Sequence, residues 1–153
     1  MASIDRSDPV ILGHVLAEHR ELFQQIMAAR TAFQNGTVPS RSRVDATIAT
    51  LRSLREHLHH HFQLEEEGGF LEESIARMPR LSTAATAILD QHPALLRELD
   101  QLIGRLSAAE ISAVEWKLAT ADFDRFSANM QAHERSENAV VQEGYNEDLG
   151  LLD

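Results

Sequence analysis

The chain contains no cysteine, which excludes disulfides, thiolate nucleophiles, zinc–thiolate sites and thiolate-held iron–sulfur clusters within it. Any metal it binds must be held by nitrogen and oxygen. Basic charge is scarce: 14 Lys+Arg stand against 24 Asp+Glu, for a formal net charge of −10. A phosphate backbone or an anionic membrane surface has little to hold on to, so no nucleic acid and no membrane partner is expected. Long apolar runs are also missing, none approaching the roughly 18 residues that a membrane helix needs. The opening MASIDRSDPV has neither the cationic nor the apolar segment of a secretory leader, and a cytoplasmic protein is expected. Glycine (7) and proline (4) are few, and Gly-bounded strand patterns are absent, so the class is all-α. A length of 153 residues with 43% hydrophobic content suits a single domain with its own core, expected over residues 1–153.

Start and stop signals divide the chain into four long helices. Asp8-Pro9 reads as a cap followed by proline at the first helical position, and Asn35-Gly36 as the matching stop. Ser40 caps a second helix that breaks at Gly68-Gly69. A short extra helical segment, Phe70 to Met78, ends at Pro79. A third helix runs from Ser82 to about Leu106, kinked by Pro93, which removes a helix hydrogen bond. The fourth runs from about Ser112 to about Glu143, and the last residues, GYNEDLGLLD, read as a loosely docked tail.

One apolar seam, with members alternately three and four apart, recurs in all four helices. It comprises Leu12, Val15, His19, Leu22, Ile26, Ala29 and Phe33 in the first helix, and Leu51, Leu54, Leu58, His61 and Glu65 in the second. The third helix contributes Ala85, Ile88, His92, Leu95, Leu99, Leu102 and Leu106. The fourth contributes Trp116, Ala119, Phe123, Phe126, Met130, His133, Glu137 and Val140. Short connections make an up-down-up-down four-helix bundle the economical architecture. The two halves look like copies, each with a histidine on its first helix and a His-x-x-x-Glu pair on its second.

A carboxylate facing a dry core costs several kcal/mol unless it is paired or holds a cation, and the facing seams offer histidines rather than Lys or Arg. Residues four apart lie on one helix face, so His61/Glu65 and His133/Glu137 each present an imidazole and a carboxylate to one interior point. With His19 and His92 this gives four nitrogens and two carboxylates, a set for two metals. His57, one turn before His61 and about 40° off the seam, is a fifth nitrogen, an orienting partner or an exposed histidine. As a fifth ligand it would leave one metal saturated and the other with one open position, suited to O2 or peroxide. Two irons, bridged by oxo or hydroxo, fit an imidazole–carboxylate environment, with manganese or a mixed pair as the alternative. A residual positive charge would attract small anions.

With His19 in AEHREL, His61 and Glu65 in the HFQLEE run, His92 in DQHPALL, and His133 and Glu137 in HERSEN, the chain resembles the hemerythrin/HHE cation-binding family. The resemblance extends from about residue 8 to residue 145. It implies a four-helix bundle with a non-heme di-iron centre and, among members, O2 carriage, O2 or iron sensing, peroxide handling and nitric-oxide or iron–sulfur repair. Animal O2 carriers have two histidines one turn apart on the third helix, where this chain has Leu96 and Ile88 around His92. Repair members commonly carry a Cys-bearing segment that is missing here.

Around these residues, His14, His59 and His60 read as surface histidines and Glu67 as solvated. Glu66 is a candidate acceptor that orients a ligand histidine, and Tyr145 lies roughly on the side of Glu137. Two main functions remain open: a di-iron protein that binds or senses O2 or a related small ligand, peroxide or nitric oxide, and a di-iron enzyme with peroxidase-, catalase- or oxidase-like activity. No unmistakable acid sits on the seams beside the ligand residues, which favours binding, since O–O cleavage benefits from a proton donor. Iron storage and a metal-free interaction module are further alternatives; the His-x-x-x-Glu spacing argues against the former, because ferritin-type sites use Glu-x-x-His.

Overall fold

In a computed structural model, the described residues form six helices: α1 (Ala2–Phe33), α2 (Arg41–Glu66), α3 (Phe70–Arg77), α4 (Ser82–Asp90), α5 (His92–Leu106) and α6 (Ala113–Leu152), with a 3-10 turn at Pro79–Leu81. The structure describes residues 2–33, 39–67, 70–108 and 110–152, and side chains over 17–33, 39–67, 71, 74–76, 78–108 and 110–144. No strand occurs among the described residues, and no described helix is long and apolar enough to cross a membrane.

Local signals account for most boundaries. The Ser40 hydroxyl accepts a hydrogen bond from the Arg43 N–H at 3.3 Å, a cap worth about 1 kcal/mol; that of Ser112 accepts from the Glu115 N–H at 3.1 Å. Pro93 cannot donate to the Leu89 carbonyl, and the expected third helix is divided at Gln91, whose N–H tightens onto the Ile88 carbonyl at 3.1 Å. Two boundaries are corrected. The first helix begins at Ala2, with Pro9 inside it, so the proline removes one donor near the helix start rather than marking that start. The fourth continues through Gly144 to Leu152, where a tail was expected. A single glycine weakens a helix by about 1 kcal/mol without ending it. The Asn35-Gly36 and Gly68-Gly69 stops lie outside the described residues.

Helices α1, α2, α5 and α6 close a ring in which each packs on two neighbours, while α3 lies against α6. Cross-helix pairs show that ring neighbours run antiparallel. Along α2 and α5, Arg41 reaches the Ala108 carbonyl, Arg55 the Asp100 carboxylate and Glu66 the His92 ring. Along α5 and α6, Arg105 pairs with Asp122, Asn129 with Glu98 and His133 with Gln91. On α1 and α6, His19 meets Glu137 and Arg30 meets Asp124. On α1 and α2, Arg43 reaches the Ala32 carbonyl and His61 faces Glu18. The bundle is therefore up-down-up-down.

Every described seam residue is buried. The apolar interior has two parts. A large cluster runs from Leu22 to Phe33 on α1, Val44 to Phe62 on α2, Leu95 to Leu106 on α5 and Trp116 to Met130 on α6. A smaller one joins Leu71, Met78, Leu81, Ala85, Ile88, Val140 and Val141. Between Leu58 and Leu71, between Ile88 and Leu95, and between Met130 and Val140, the buried residues are chiefly the polar ones. The polar layer is thus sandwiched between two apolar ones.

Candidate metal centre

Six residues make that layer: His19, His61, His92, His133, Glu65 and Glu137, each at most 6% exposed. Glu65 spans the two halves, with Oε1 against His61 Nε2 and Oε2 3.0 Å from His92 Nε2. Glu137 does the same in reverse: its Oε1 lies 2.9 Å from His19 Nε2 and 4.0 Å from His61 Nε2, and its Oε2 lies 3.4 Å from His133 Nε2. Each carboxylate thus faces the second-helix histidine of its own half and the first-helix histidine of the other, an exchange expected from an internal repeat. One group, His19, His61, Glu65 and Glu137, presents donor atoms within 4.8 Å of one another; Glu65, His92 and His133 form a second.

One of these contacts is a hydrogen bond, from His19 Nε2 to Glu137 Oε1 at 2.9 Å. His61 Nε2, His92 Nε2, His133 Nε2, both Glu65 oxygens and Glu137 Oε2 are buried and have no hydrogen-bond partner among the described residues, in spite of the short distances between them. Their lone pairs converge on shared space instead of aligning pairwise. Uncompensated, buried carboxylates and imidazoles cost several kcal/mol; a cation removes that cost for all of them together. The cluster fits a metal site.

A family model, the hemerythrin HHE cation binding domain, matches residues 10–143. The chain belongs to the hemerythrin HHE family. No curated protein and no solved structure matches it.

Within this HHE domain, the outward-facing nitrogens of the His92, His133 and His61 rings have partners of their own, which fix ring orientation and tautomer. His92 Nδ1 lies 3.0 Å from the Glu66 carboxylate, the contact for which Glu66 was a candidate. His133 Nδ1 donates to Gln91 Oε1 at 2.8 Å, and His61 Nδ1 lies 3.5 Å from Glu18 Oε2. The repeat extends to these residues: Glu18 and Gln91 each precede the first-helix histidine of their half and each face the second-helix histidine. Glu66 and Asn138 each follow the spanning glutamate; Asn138 Oδ1 and His19 Nδ1 are buried without a partner among the described residues.

The residues after the second-helix histidines break the symmetry. Phe62, following His61, stacks on the His92 ring with centroids 3.7 Å apart and planes 4° from parallel, and meets His133 edge-on. At the matching position Glu134 is only partly buried, and one of its oxygens is buried without a partner among the described residues. Burial, together with Glu137 and Glu65, pushes its carboxyl up to about 7 against the opposing pull of His19 and His61. One end of the layer is capped by an aromatic face and the other carries an acid. Burial lowers the basicity of His19, His61 and His92, but the adjacent carboxylates outweigh it and raise all three. Burial likewise pushes Glu137 up, and His133 and His19 more than reverse that, holding it well below the carboxylate range.

The structure brings together six of the seven expected site residues and not His57, whose Nε2 faces Glu18 Oε2 at 3.5 Å outside the buried layer. His59, His60 and Glu67 are exposed, as expected. The side chains of His14 and Tyr145 lie outside the described residues. Glu134, Glu18, Gln91 and Phe62 were missed as functional positions because seam membership was the criterion and all four lie beside the seam. The available signal was that each adjoins a seam histidine in sequence.

Proposed function

We propose that this is a non-heme di-iron protein that binds or senses O2 or a related small ligand, peroxide or nitric oxide. His19, His61, His92 and His133, with Glu65 and Glu137, would hold the iron pair, within a single domain over residues 1–153. The observation that carries the reading is the convergence of buried nitrogen and carboxylate atoms in two groups that share Glu65, all but the His19–Glu137 pair of them without a hydrogen bond among the described residues. Imidazole and carboxylate together suit redox-active iron, with manganese or a mixed pair as the alternative. When bound, such a pair supplies reversible electron transfer to a small oxidant. The chain itself orients the rings through Glu18, Glu66 and Gln91 and excludes water with apolar layers on both sides. A cleft of about 290 Å³ between α5 and α6, lined by Gln91, Leu95, Glu98, Asn129, His133 and Ser136 among others, gives a small ligand an approach on the His133 side.

Glu134 favours a second reading, a di-iron enzyme with peroxidase-, catalase- or oxidase-like activity. A carboxyl raised to about 7 is matched to accept or release a proton near neutral pH, as a general acid must. The deciding experiment is anaerobic reduction of the iron-loaded protein, then O2, then peroxide, followed by absorption spectroscopy with metal analysis. Reversible spectral change with about two metals per chain supports binding. Continuous peroxide loss that falls at least tenfold in Glu134→Gln supports turnover. A stoichiometry below two after reconstitution ends the dinuclear reading.

A further inference from the structure

Outside the buried layer, Glu18 and Glu21 on α1 and His57 on α2 bring one carboxylate oxygen each and one imidazole nitrogen within 4.8 Å of one another. Glu21 is exposed, and Glu18 and His57 are partly so. The trio has one unusual neighbour. Glu18 Oε2 lies 3.5 Å from His57 Nε2 and also 3.5 Å from Nδ1 of His61, a residue 1% exposed whose other nitrogen faces Glu65 and Glu137. A single carboxylate therefore touches both a surface histidine and the back of a buried one.

We infer that Glu18, Glu21 and His57 form a separate, weaker divalent-cation site that captures the metal at the surface and passes it to the buried pair. Two chemical arguments support this. The six side chains of the buried layer are each at most 6% exposed, so an ion must shed most of its hydration shell before entering. Two carboxylates and an imidazole at the surface can replace part of the hydration shell of an intermediate-softness divalent ion while the rest remains. The net charge of −10 raises the cation concentration near the surface, the two carboxylates included. Placing His57 here also accounts for a histidine one turn before His61 that does not join the buried layer. The inference rests on the reading of the buried layer as a metal pair.

The test uses metal-free full-length protein mixed anaerobically with Co2+, with ligand-field absorption giving the filling rate and equilibrium dialysis the stoichiometry. Wild type should bind two ions tightly and one more weakly. Glu21→Gln should lose the weak ion and fill the tight pair at least fivefold more slowly, with the tight count still two; His57→Ala should behave alike. Filling at the wild-type rate in both variants overturns the inference, as does a tight count that falls in His57→Ala, which would make His57 a ligand of the buried pair. Failure of wild type to bind two ions tightly would instead overturn the reading on which the inference rests.

Discussion

Glu66 is half exposed, yet its carboxylate lies 3.0 Å from Nδ1 of a histidine that is 1% exposed, so a surface residue sets the orientation and electron density of a buried ring. Partners of this kind typically account for about 10- to 100-fold in metal affinity. Glu66→Gln, which keeps an acceptor but loses the charge, should weaken metal binding by roughly the lower figure, and Glu66→Ala by more. Chelator competition measures both, and wild-type affinity in Glu66→Ala would show the contact to be incidental. At this scale the sequence was legible where chemistry and seam coincide. His19, His61, Glu65, His92, His133 and Glu137 could be read because a polar residue in an apolar stripe is itself the anomaly. Glu18 and Glu134 stand among ordinary charged residues on faces that are polar anyway, and only the fold shows that these two turn toward buried rings. His57 illustrates the same limit in reverse: its angular offset allowed it into the layer, and the three-dimensional position of Glu18 places it outside.

Among the elements, α3 depends on the contact sequence patterns describe least, a close approach of backbones. A Cβ added to Gly144 of α6 would lie 3.0 Å from Ser74 Cβ and 3.2 Å from Ser74 Cα on α3, and Ser74 is buried, so the contact cannot be relieved by swinging a side chain away. Gly104, also inside a helix, faces open space, with nothing within 4 Å of where a Cβ would stand. The same substitution should therefore have opposite signs. Gly104→Ala should stabilise the protein by about 0.5–1 kcal/mol through helix propensity and a less flexible unfolded chain. Gly144→Ala should lower the melting temperature in spite of that gain, because α3 must move off α6. Thermal unfolding followed by circular dichroism reads both, and a Gly144→Ala protein as stable as Gly104→Ala would contradict the close contact. The helices themselves were legible from caps and periodicity: Ser40, Ser112 and Pro93 all act as their chemistry dictates. What was not legible was the extent of α1 and α6. Gly144 looks like a helix terminator to propensity and is instead the gap into which a neighbouring helix fits.

For the whole molecule, the polar layer ties stability to both pH and metal, with a sign that follows from the direction of each shift. Without metal, His19, His61 and His92 have folded pKa values raised above 6.5 by the neighbouring carboxylates against the burial that lowers them. Their contribution is fully present below 6.5 and is lost as pH rises through the folded values. Glu134, raised from 4.5 to about 7 chiefly by burial, holds its proton longer folded than unfolded, so it too costs stability as pH climbs across that interval. Glu137 is shifted the other way; its contribution is complete above about 4.5 and fails only in acid. The metal-free protein should therefore lose stability as pH rises from about 4.5 to 7 through Glu134 and above 6.5 through the three histidines. Metal binding has the opposite slope, because the imidazoles must be neutral to act as ligands and binding releases protons. The gap in melting temperature between metal-loaded and metal-free protein should accordingly widen as pH rises over this range, and differential scanning calorimetry at several pH values measures it. A gap that is constant or narrows would mean that the histidines of the layer are not the groups that exchange protons for metal. A gap of zero throughout would favour the metal-free bundle, in which the six converging side chains merely satisfy one another.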